Sequence, residues 1–186
     1  KIIDVNFNEI NGGSAEVIVA RKDSRRKQNV KKIEKIFKKK KNINKYSYKK
    51  FNLRLQNVKK VLNQFISSSK NIIGYGASTK GNIILNHCNI DTKKLKYIAD
   101  GNSQKWGRRT PGLNIKIISK EKMRKMRPDY LLVLIWSFRS EVIKQEKRFI
   151  LNGGKLILPL PFFHIIDKEN YKKYEKESLD SFSFDI

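Results

Sequence analysis

Short apolar runs alternate with amphipathic stretches along the chain from residue 70 onward. The run YLLVLI at residues 130–135 is apolar at every position, as expected for a parallel strand that helices cover on both faces. This alternation predicts strands and helices in turn. The predicted strands are residues 71–75, 95–99, 115–118, 129–136 and 155–160, and the predicted helices are residues 79–88, 121–126 and 137–151.

Alternating strands and helices are typical of βαβ architecture, whose crossovers are right-handed. We therefore predict an α/β fold, a Rossmann-like, doubly wound and mostly parallel sheet over residues 70–163. A long amphipathic helix over residues 46–69 precedes it and is expected to pack alongside. The apolar residues that recur there at spacings of four and three are Phe51, Leu55, Val58, Leu62 and Phe65.

The N-terminal third of the chain is patterned differently. Residues 15–20 (AEVIVA) follow a Gly-Gly turn signal and are rich in β-branched residues, which predicts a strand. We expect the strands that would pair with it to be missing, because the chain opens on Lys1 and resembles the C-terminal piece of something longer. Residues 23–44 predict a basic helix or helical linker, and the tail at residues 164–186 gives no clear pattern.

Composition places the chain among ordinary globular domains. It has 186 residues, 39% of them hydrophobic, and one cysteine, Cys88. A lone cysteine excludes an internal disulfide or a cysteine-rich zinc site and favours a reducing compartment, so we expect a cytoplasmic location. The longest apolar stretch, residues 130–136, is far shorter than the roughly 20 residues of a membrane helix, so we expect no membrane span.

The charge is strongly positive, with 42 Lys and Arg residues against 17 Asp and Glu residues and a formal net charge of +25. Clustered basic residues bind nucleic acid by neutralising phosphates. Here the positive residues are mostly Lys, accompanied by much Ile and Asn, a composition that an AT-rich genome produces whatever the function. We interpret the basic runs as solvated surface, with a nucleic-acid-binding module over residues 25–50 as the alternative.

Glycines mark the turn between the first strand and the first helix of the predicted sheet, in the sequence IIGYGASTKG at residues 72–81. Such a turn brings backbone N–H groups close to an anion, typically a phosphate. Gly74 and Gly76 fit the dinucleotide pattern GxGxxG, but Thr79 stands where the third glycine belongs. Lys80 is not followed by the Ser or Thr of a Walker A loop. Two interpretations stay open: nucleotide or phosphate binding, and close helix–sheet packing.

Further candidates lie where other strands end. Asp100 closes the second strand, where a carboxylate either accepts hydrogen bonds from ribose hydroxyls or caps its own loop. Lys105, Arg108 and Arg109 follow in a polar loop and are able to bind a diphosphate together. Trp136 ends the next central strand.

Three residues with reactive side chains are interpreted as structural. His87 and His164 have neither metal-ligand spacing nor a partnered carboxylate, which favours surface or core histidines. Cys88 lies at a helix end in apolar company and is expected to be a packing residue.

Five motifs in order resemble the C-terminal domain of SAM-dependent sugar C-methyltransferases, enzymes that methylate a carbon of a nucleotide-linked keto-deoxysugar. They are NGGSAEVIVARKD at residues 11–23, GYGASTKGN at 74–82, DGNSQKWGRRTPG at 100–112, PDYLLVLIWSF at 128–138 and GGKLILPLP at 153–161. One departure concerns Ser137, which stands where that family often has Asn after the Trp.

The resemblance implies a three-part enzyme with a zinc-binding N-terminal segment, a SAM-binding domain and this Rossmann-like domain. It implies a nucleotide-diphosphate sugar in a cleft that this domain helps to close. S-adenosylmethionine would serve the full-length enzyme without binding this chain, and no catalytic or metal-binding residue is expected here. The residues expected to face the cleft are Gly74, Tyr75, Gly76, Ala77, Ser78, Lys80, Asp100, Arg108, Trp136 and Ser137.

We therefore predict the substrate-holding domain of such a methyltransferase, inactive without the SAM-binding half, which is its expected partner in the same longer chain or as a separate one. The corresponding division is residues 1–22 as a remnant of the preceding domain, 23–69 as a basic helical segment, 70–163 as the Rossmann-like domain and 164–186 as the tail. An autonomous NAD(P)- or nucleotide-binding domain remains the alternative, supported by Gly74, Gly76 and Asp100.

Overall fold

The computed structural model describes residues 1–8, 13–41, 43–69 and 71–177. The chain forms two compact units, one comprising Lys1–Leu53 and the other beginning at Arg54.

An antiparallel hairpin and a basic helix make up much of the first unit. Strand β1 (Ile2–Asn8) pairs with β2 (Ser14–Val19), with Val5 opposite Val17. The expectation that β2 lacks a paired strand is therefore wrong. Its partner has polar residues at alternate positions of IIDVNFN, the period-two pattern of a strand with one polar face, and this signal could have predicted it. Of the Gly-Gly turn signal, Gly12 lies outside the described residues.

Helix α1 (Val30–Lys41) confirms the predicted basic helix and is bonded to β1 by one lysine. The ammonium of Lys32 lies 3.1 Å from Asp4 Oδ1 and donates to Asn6 Oδ1 at 2.6 Å. The hydrogen bond from Lys32 lowers the pKa of the Asp4 carboxyl. Polar side chains thus join the helix to one face of the hairpin.

A six-stranded sheet forms the centre of the second unit. Its strands are β3 (Ile72–Tyr75), β4 (Tyr97–Asp100), β5 (Lys116–Ser119), β6 (Tyr130–Val133), β7 (Lys155–Leu158) and β8 (His164–Ile166). They lie in the order β5-β4-β3-β6-β7-β8, with β8 antiparallel to β7 and all other neighbours parallel. This confirms the predicted doubly wound fold, since the chain winds outward from β3 in one direction and then returns to β6 on its other side.

Helices cover both faces of this sheet. They are α2 (Lys45–Ser68), α3 (Thr79–Cys88), α4 (Lys120–Lys125), α5 (Arg139–Gln145), α6 (Lys147–Leu151) and α7 (Tyr171–Lys176). Successive residues of β6 alternate between two buried clusters: Leu132 packs with residues of α2 and α3, and its neighbours Leu131 and Val133 pack with residues of α4 to α7. None of the helices within the described ranges has the length and apolar character to cross a membrane.

The predicted apolar face of α2 is confirmed from its middle onward. Val58 and Leu62 are buried, and Leu62 packs in the same cluster as Leu85 and Cys88 of α3. Phe51 is 53% exposed instead. Helix α2 therefore packs on the sheet through its C-terminal part.

The single helix predicted over residues 137–151 is wrong, because two helices, α5 and α6, flank Glu146 there. The Glu146 carboxylate is buried and accepts hydrogen bonds from the Tyr75 hydroxyl at 2.9 Å and from Arg124 at 2.7 Å. A long-range hydrogen-bond network therefore coincides with the break, which periodicity could not indicate.

Within the described residues, the tail without a clear sequence pattern contains β8, which forms an edge of the sheet, and α7. The guanidinium of Arg139, almost fully buried, donates to the backbone oxygens of Tyr174 at 3.1 Å and Glu177 at 2.6 Å. His164 is also buried, as expected of a core histidine, and burial lowers its pKa.

We predict that Leu62→Ala lowers the free energy of unfolding by about 2–5 kcal/mol, because it leaves a cavity where α2 meets α3. The matched control is Leu53→Ala on the same helix, where the side chain is 62% exposed and the loss should stay within about 0.5 kcal/mol. Chemical denaturation followed by circular dichroism measures both. Equal effects would show that α2 does not pack on the sheet.

Candidate functional site

The carboxyl ends of β3 and β6 meet at the point where the winding direction of the sheet reverses. Their last contact is a hydrogen bond from the Leu134 N–H to the Tyr75 oxygen at 2.9 Å. Beyond it, β3 continues into a turn before α3, and β6 continues into a 3-10 turn at Trp136–Phe138 before α5. Open α/β sheets bind ligands in the crevice at such a switch point. The candidate site is therefore this crevice.

Glycines permit the close approach of α3 to the end of β6. A Cβ added at Gly81 would lie 2.5 Å from Leu134 Cβ, and one at Gly76, where φ is +86°, would lie 2.6 Å from the Ile135 side chain. A Cβ at Gly74 would lie 2.8 Å from a side chain of β4. The packing interpretation thus accounts for all three glycines. Gly81 also takes the helix–strand packing role of the third glycine in dinucleotide-binding turns.

Ser78 caps α3 and bonds it to β6. Its Oγ accepts a hydrogen bond from the Gly81 N–H and donates one to the Leu134 oxygen, each at 3.0 Å. Other amides of the turn also donate within the protein: Gly76 N–H to the Ala99 oxygen at 2.7 Å and Ser78 N–H to the Gly76 oxygen at 2.9 Å. Few backbone donors of the turn are left for a phosphate.

Asp100 holds the turn from the end of β4. Its Oδ2 accepts the Ala77 N–H at 2.8 Å and lies 3.3 Å from the Lys105 ammonium, and its Oδ1 accepts the Asn102 N–H at 2.8 Å. Lys105 also donates to the Ala77 oxygen at 2.9 Å. The Asp100 side chain is only 11% exposed. Asp100 therefore caps both the turn and its own loop.

The loop after Asp100 does not bring its three cations together. It runs back along β5, where the Ile117 N–H donates to the Arg108 oxygen at 2.9 Å. Lys105 is bound at the carboxyl edge, whereas Arg109 donates to the Asn114 oxygen at 2.9 Å, before β5 begins. The loop pairs with the start of β5 and so spaces Lys105, Arg108 and Arg109 along the strand. The diphosphate clamp of these three residues stays a prediction.

The remaining candidates differ in where their side chains lie. Tyr75 is fully buried beneath the crevice, where burial and the neighbouring Glu146 carboxylate raise the pKa of its hydroxyl. Trp136 is partly buried and packs against both hydrophobic clusters, and Ser137 beside it is partly exposed. Lys80 is exposed on the first turn of α3.

The sequence analysis missed a group of polar side chains at the carboxyl edge of the sheet, on the face opposite α3, which includes Lys120, Gln145 and Glu146. The Lys120 ammonium lies 4.6 Å from the centre of the Tyr75 ring and donates to Gln145 Oε1 at 2.7 Å. Its position just after a predicted strand could have marked it. Glu146 had no such signal, because it lay inside a predicted helix.

Other site types find less support. An open polar cavity of about 360 Å³ lies at the opposite, amino edge of the sheet, away from the switch point; its lining residues are Ser68, Ser69, Asp129, Tyr130, Gly153 and Lys155. Among the described residues, no three His, Cys, Asp or Glu side chains are grouped as metal ligands. The carboxyl edge remains the site that the topology favours.

The strand order and the parallel pairing of the central strands define a Rossmann-like α/β domain. More specifically, the chain belongs to the C-methyltransferase C-terminal domain family, whose model matches residues 9–161. It is 34% identical over 113 residues to the C-methyltransferase NovU of Streptomyces niveus, a match that covers 61% of this chain and 27% of NovU. The chain thus corresponds to about a quarter of that relative. The predicted resemblance to this family is confirmed.

We expect Gly81→Ala to lower the free energy of unfolding by about 1–3 kcal/mol, because the added methyl group overlaps Leu134. In an unconstrained helix the same change would stabilise by up to about 1 kcal/mol, so the sign is diagnostic. Gly101→Ala is the control, since an added Cβ there would meet only the Lys120 side chain at 3.7 Å. A stabilising Gly81→Ala, measured by thermal denaturation, would contradict the close approach.

Asp100→Asn should cost about 1–3 kcal/mol of stability, because the amide group must face a backbone N–H or the Lys105 ammonium. Hydrogen exchange at the Ala77 and Asn102 amides should accelerate. The control is Asp91→Asn, whose carboxylate accepts the Lys93 N–H at 3.0 Å and whose substitution should change stability by less than about 0.5 kcal/mol. Unchanged exchange at Ala77 in Asp100→Asn would show that the carboxylate does not hold the turn.

Proposed function

We propose that this chain is the substrate-holding C-terminal domain of a SAM-dependent methyltransferase that acts on a carbon of a nucleotide-linked keto-deoxysugar. The observation that carries the proposal is membership of the C-methyltransferase C-terminal domain family, together with a match that spans 27% of NovU. The SAM-binding half is then supplied by the rest of a longer chain or by a partner protein.

The role proposed for residues 70–163 is to hold the nucleotide-diphosphate part of the substrate in the switch-point crevice. Lys80 borders this crevice on α3, and Trp136 and Ser137 border it on the 3-10 turn after β6. Binding energy from a remote part of a substrate can orient the reacting carbon and so contribute to the rate. Arg108 lies farther out, beside β5, and would contact only a ligand that extends over that strand.

The turn does not fit S-adenosylmethionine or NAD(P) as a resident cofactor. The carboxylate that would accept ribose hydroxyls, on Asp100, already accepts two backbone N–H groups and pairs with Lys105. The amides of Gly76, Ala77 and Ser78 also donate within the protein. S-adenosylmethionine supplies the methyl group when bound elsewhere in the full enzyme, and we assign no chemical step to residues of this chain.

The hairpin of the first unit is the surface we propose for the SAM-binding half. Phe7, Val17 and Val19 are each at least 50% exposed there. Strand β1 precedes the region that the family model matches, whereas β2 lies inside it. The hairpin therefore spans the start of the matched region. We propose a cytoplasmic location, in keeping with the fully buried, unpaired thiol of Cys88.

The test is calorimetric titration of the chain with thymidine diphosphate glucose, thymidine diphosphate and NADH at two salt concentrations. We expect saturable binding of the nucleotide sugar, weakened roughly tenfold or more by Lys80→Ala, because a charged hydrogen bond contributes about 1.5–3 kcal/mol. Lys96→Ala is the control, since Lys96 is exposed just before β4 at the opposite edge.

Other outcomes separate the alternatives. Selective NADH binding would favour an autonomous dinucleotide-binding domain. Strongly salt-dependent binding of DNA or RNA, reduced by alanine substitution of residues 38–41, would favour a basic nucleic-acid-binding module. No binding of any nucleotide would contradict substrate holding by this chain alone.

A further inference from the structure

We infer that Lys120 is a phosphate-contacting residue of the switch-point crevice, on the sheet face opposite α3. The inference rests on the proposed function, because it names a side chain that would hold the phosphate groups of the same ligand. Neither the glycine turn nor the family motifs include this residue. Its support comes from position, charge and the contacts that fix the side chain.

Lys120 places its ammonium over the carboxyl edge of the sheet. It is the first residue of α4, directly after β5, and its side chain runs past the end of β4 toward β3. A Cβ built on Gly101 would lie 4.0 Å from Lys120 Nζ, and the Tyr75 ring centre lies 4.6 Å from it. The ammonium therefore lies above the ends of β4 and β3, beside the switch point.

This ammonium has no carboxylate partner in the described part of the chain. Its neighbours are paired with other cations: Asp100 with Lys105 at 3.3 Å, and Glu146 with Arg124 at 2.7 Å. An ammonium group has three N–H donors, and one of those on Lys120 is accepted by Gln145 Oε1. Burial lowers the pKa of Lys120, which shows that desolvation of its charge is not fully offset by the protein. An anion at this position would offset it.

Buried groups hold the side chain in this position. The Tyr75 hydroxyl lies 3.1 Å from Gln145 Oε1 and 2.9 Å from Glu146 Oε1, so the acceptor of Lys120 is itself tied to the core. The ammonium also lies over the Tyr75 ring, 4.6 Å from its centre. A charge fixed beforehand loses little side-chain entropy when a ligand binds.

The Lys120 side chain lies beside the β4 loop, because an added Cβ on Gly101 would be 3.7 Å from Lys120 Cε and 4.0 Å from Nζ, an ordinary van der Waals distance. Lysine binds phosphate as a compact point charge, without the planar geometry that arginine uses for carboxylates. A phosphate held there would lie across the crevice from Lys80, so that the two lysines contact the ligand from opposite faces.

Lys120→Met tests the inference, because methionine is an unbranched side chain of similar length that removes the charge. The probes are inorganic pyrophosphate and thymidine diphosphate glucose, titrated by calorimetry, with sodium acetate as a carboxylate competitor. We expect the Kd of both phosphate probes to rise at least tenfold in Lys120→Met. It should change less than twofold in Lys116→Met, an exposed lysine at the other end of β5.

Each alternative outcome contradicts either the role of Lys120 or the proposed substrate. Unchanged Kd values in Lys120→Met would overturn the role of Lys120 and leave the proposed function standing if Lys80→Ala still weakens nucleotide-sugar binding. Pyrophosphate binding that depends on Lys120, without any nucleotide-sugar binding, would support the phosphate contact and contradict the proposed substrate. Competition by millimolar acetate would show a carboxylate site instead.

A second measurement covers the case in which Lys120→Met does not fold. Lysine acetylation of the unmodified protein, quantified by mass spectrometry, should slow at Lys120 when pyrophosphate is present and stay constant at Lys116. Equal acetylation of Lys120 with and without pyrophosphate, or no pyrophosphate binding by the unmodified protein, would overturn the inference.

Discussion

The close approach of helix α3 to the end of β6 is the constraint on which the site depends. It requires glycine at positions 76 and 81, where any Cβ would overlap Ile135 or Leu134. Ser78 completes it, because one hydroxyl both caps the helix and bonds to Leu134. The approach brings the turn after β3 next to the turn after β6, so helix–sheet packing creates the crevice.

Packing of this kind changes what the glycine turn can do chemically. In a phosphate-binding turn, free backbone N–H groups point at the ligand. Here Ala77 and its neighbours donate to Asp100 and to backbone oxygens, so the turn is a closed structural unit. The motif therefore indicates the fold more firmly than it indicates a nucleotide. On the proposed function, the positive charge that a diphosphate needs comes from side chains at the rim, Lys80 and Lys120.

Whether a feature could be predicted from the sequence depended on how far apart in the chain its interacting residues lie. Helix α3 was predicted to the residue because its cap, Ser78, and its apolar periodicity are local. Glu146, at the break between α5 and α6, bonds to Tyr75, 71 residues away in the chain, and Asp100 bonds to Ala77, 23 residues away. Such pairs are fixed only when the sheet assembles. The positions of candidate residues at strand ends were therefore predictable, whereas their hydrogen-bond partners were not.

The ion pairs at the carboxyl edge of the sheet are the strongest reason to assign ligand binding, and not catalysis, to this domain. Asp100 is paired with Lys105 and Glu146 with Arg124, so these two carboxylates at the carboxyl edge are held in ion pairs and poorly suited to act as a base. A general base must be within hydrogen-bond reach of the proton that it removes. Lys80 and Lys120, in contrast, place positive charge at the rim. On the proposed function, an edge with paired carboxylates and a half-buried lysine is suited to bind an anion, and proton removal and methyl transfer are assigned to residues outside this chain.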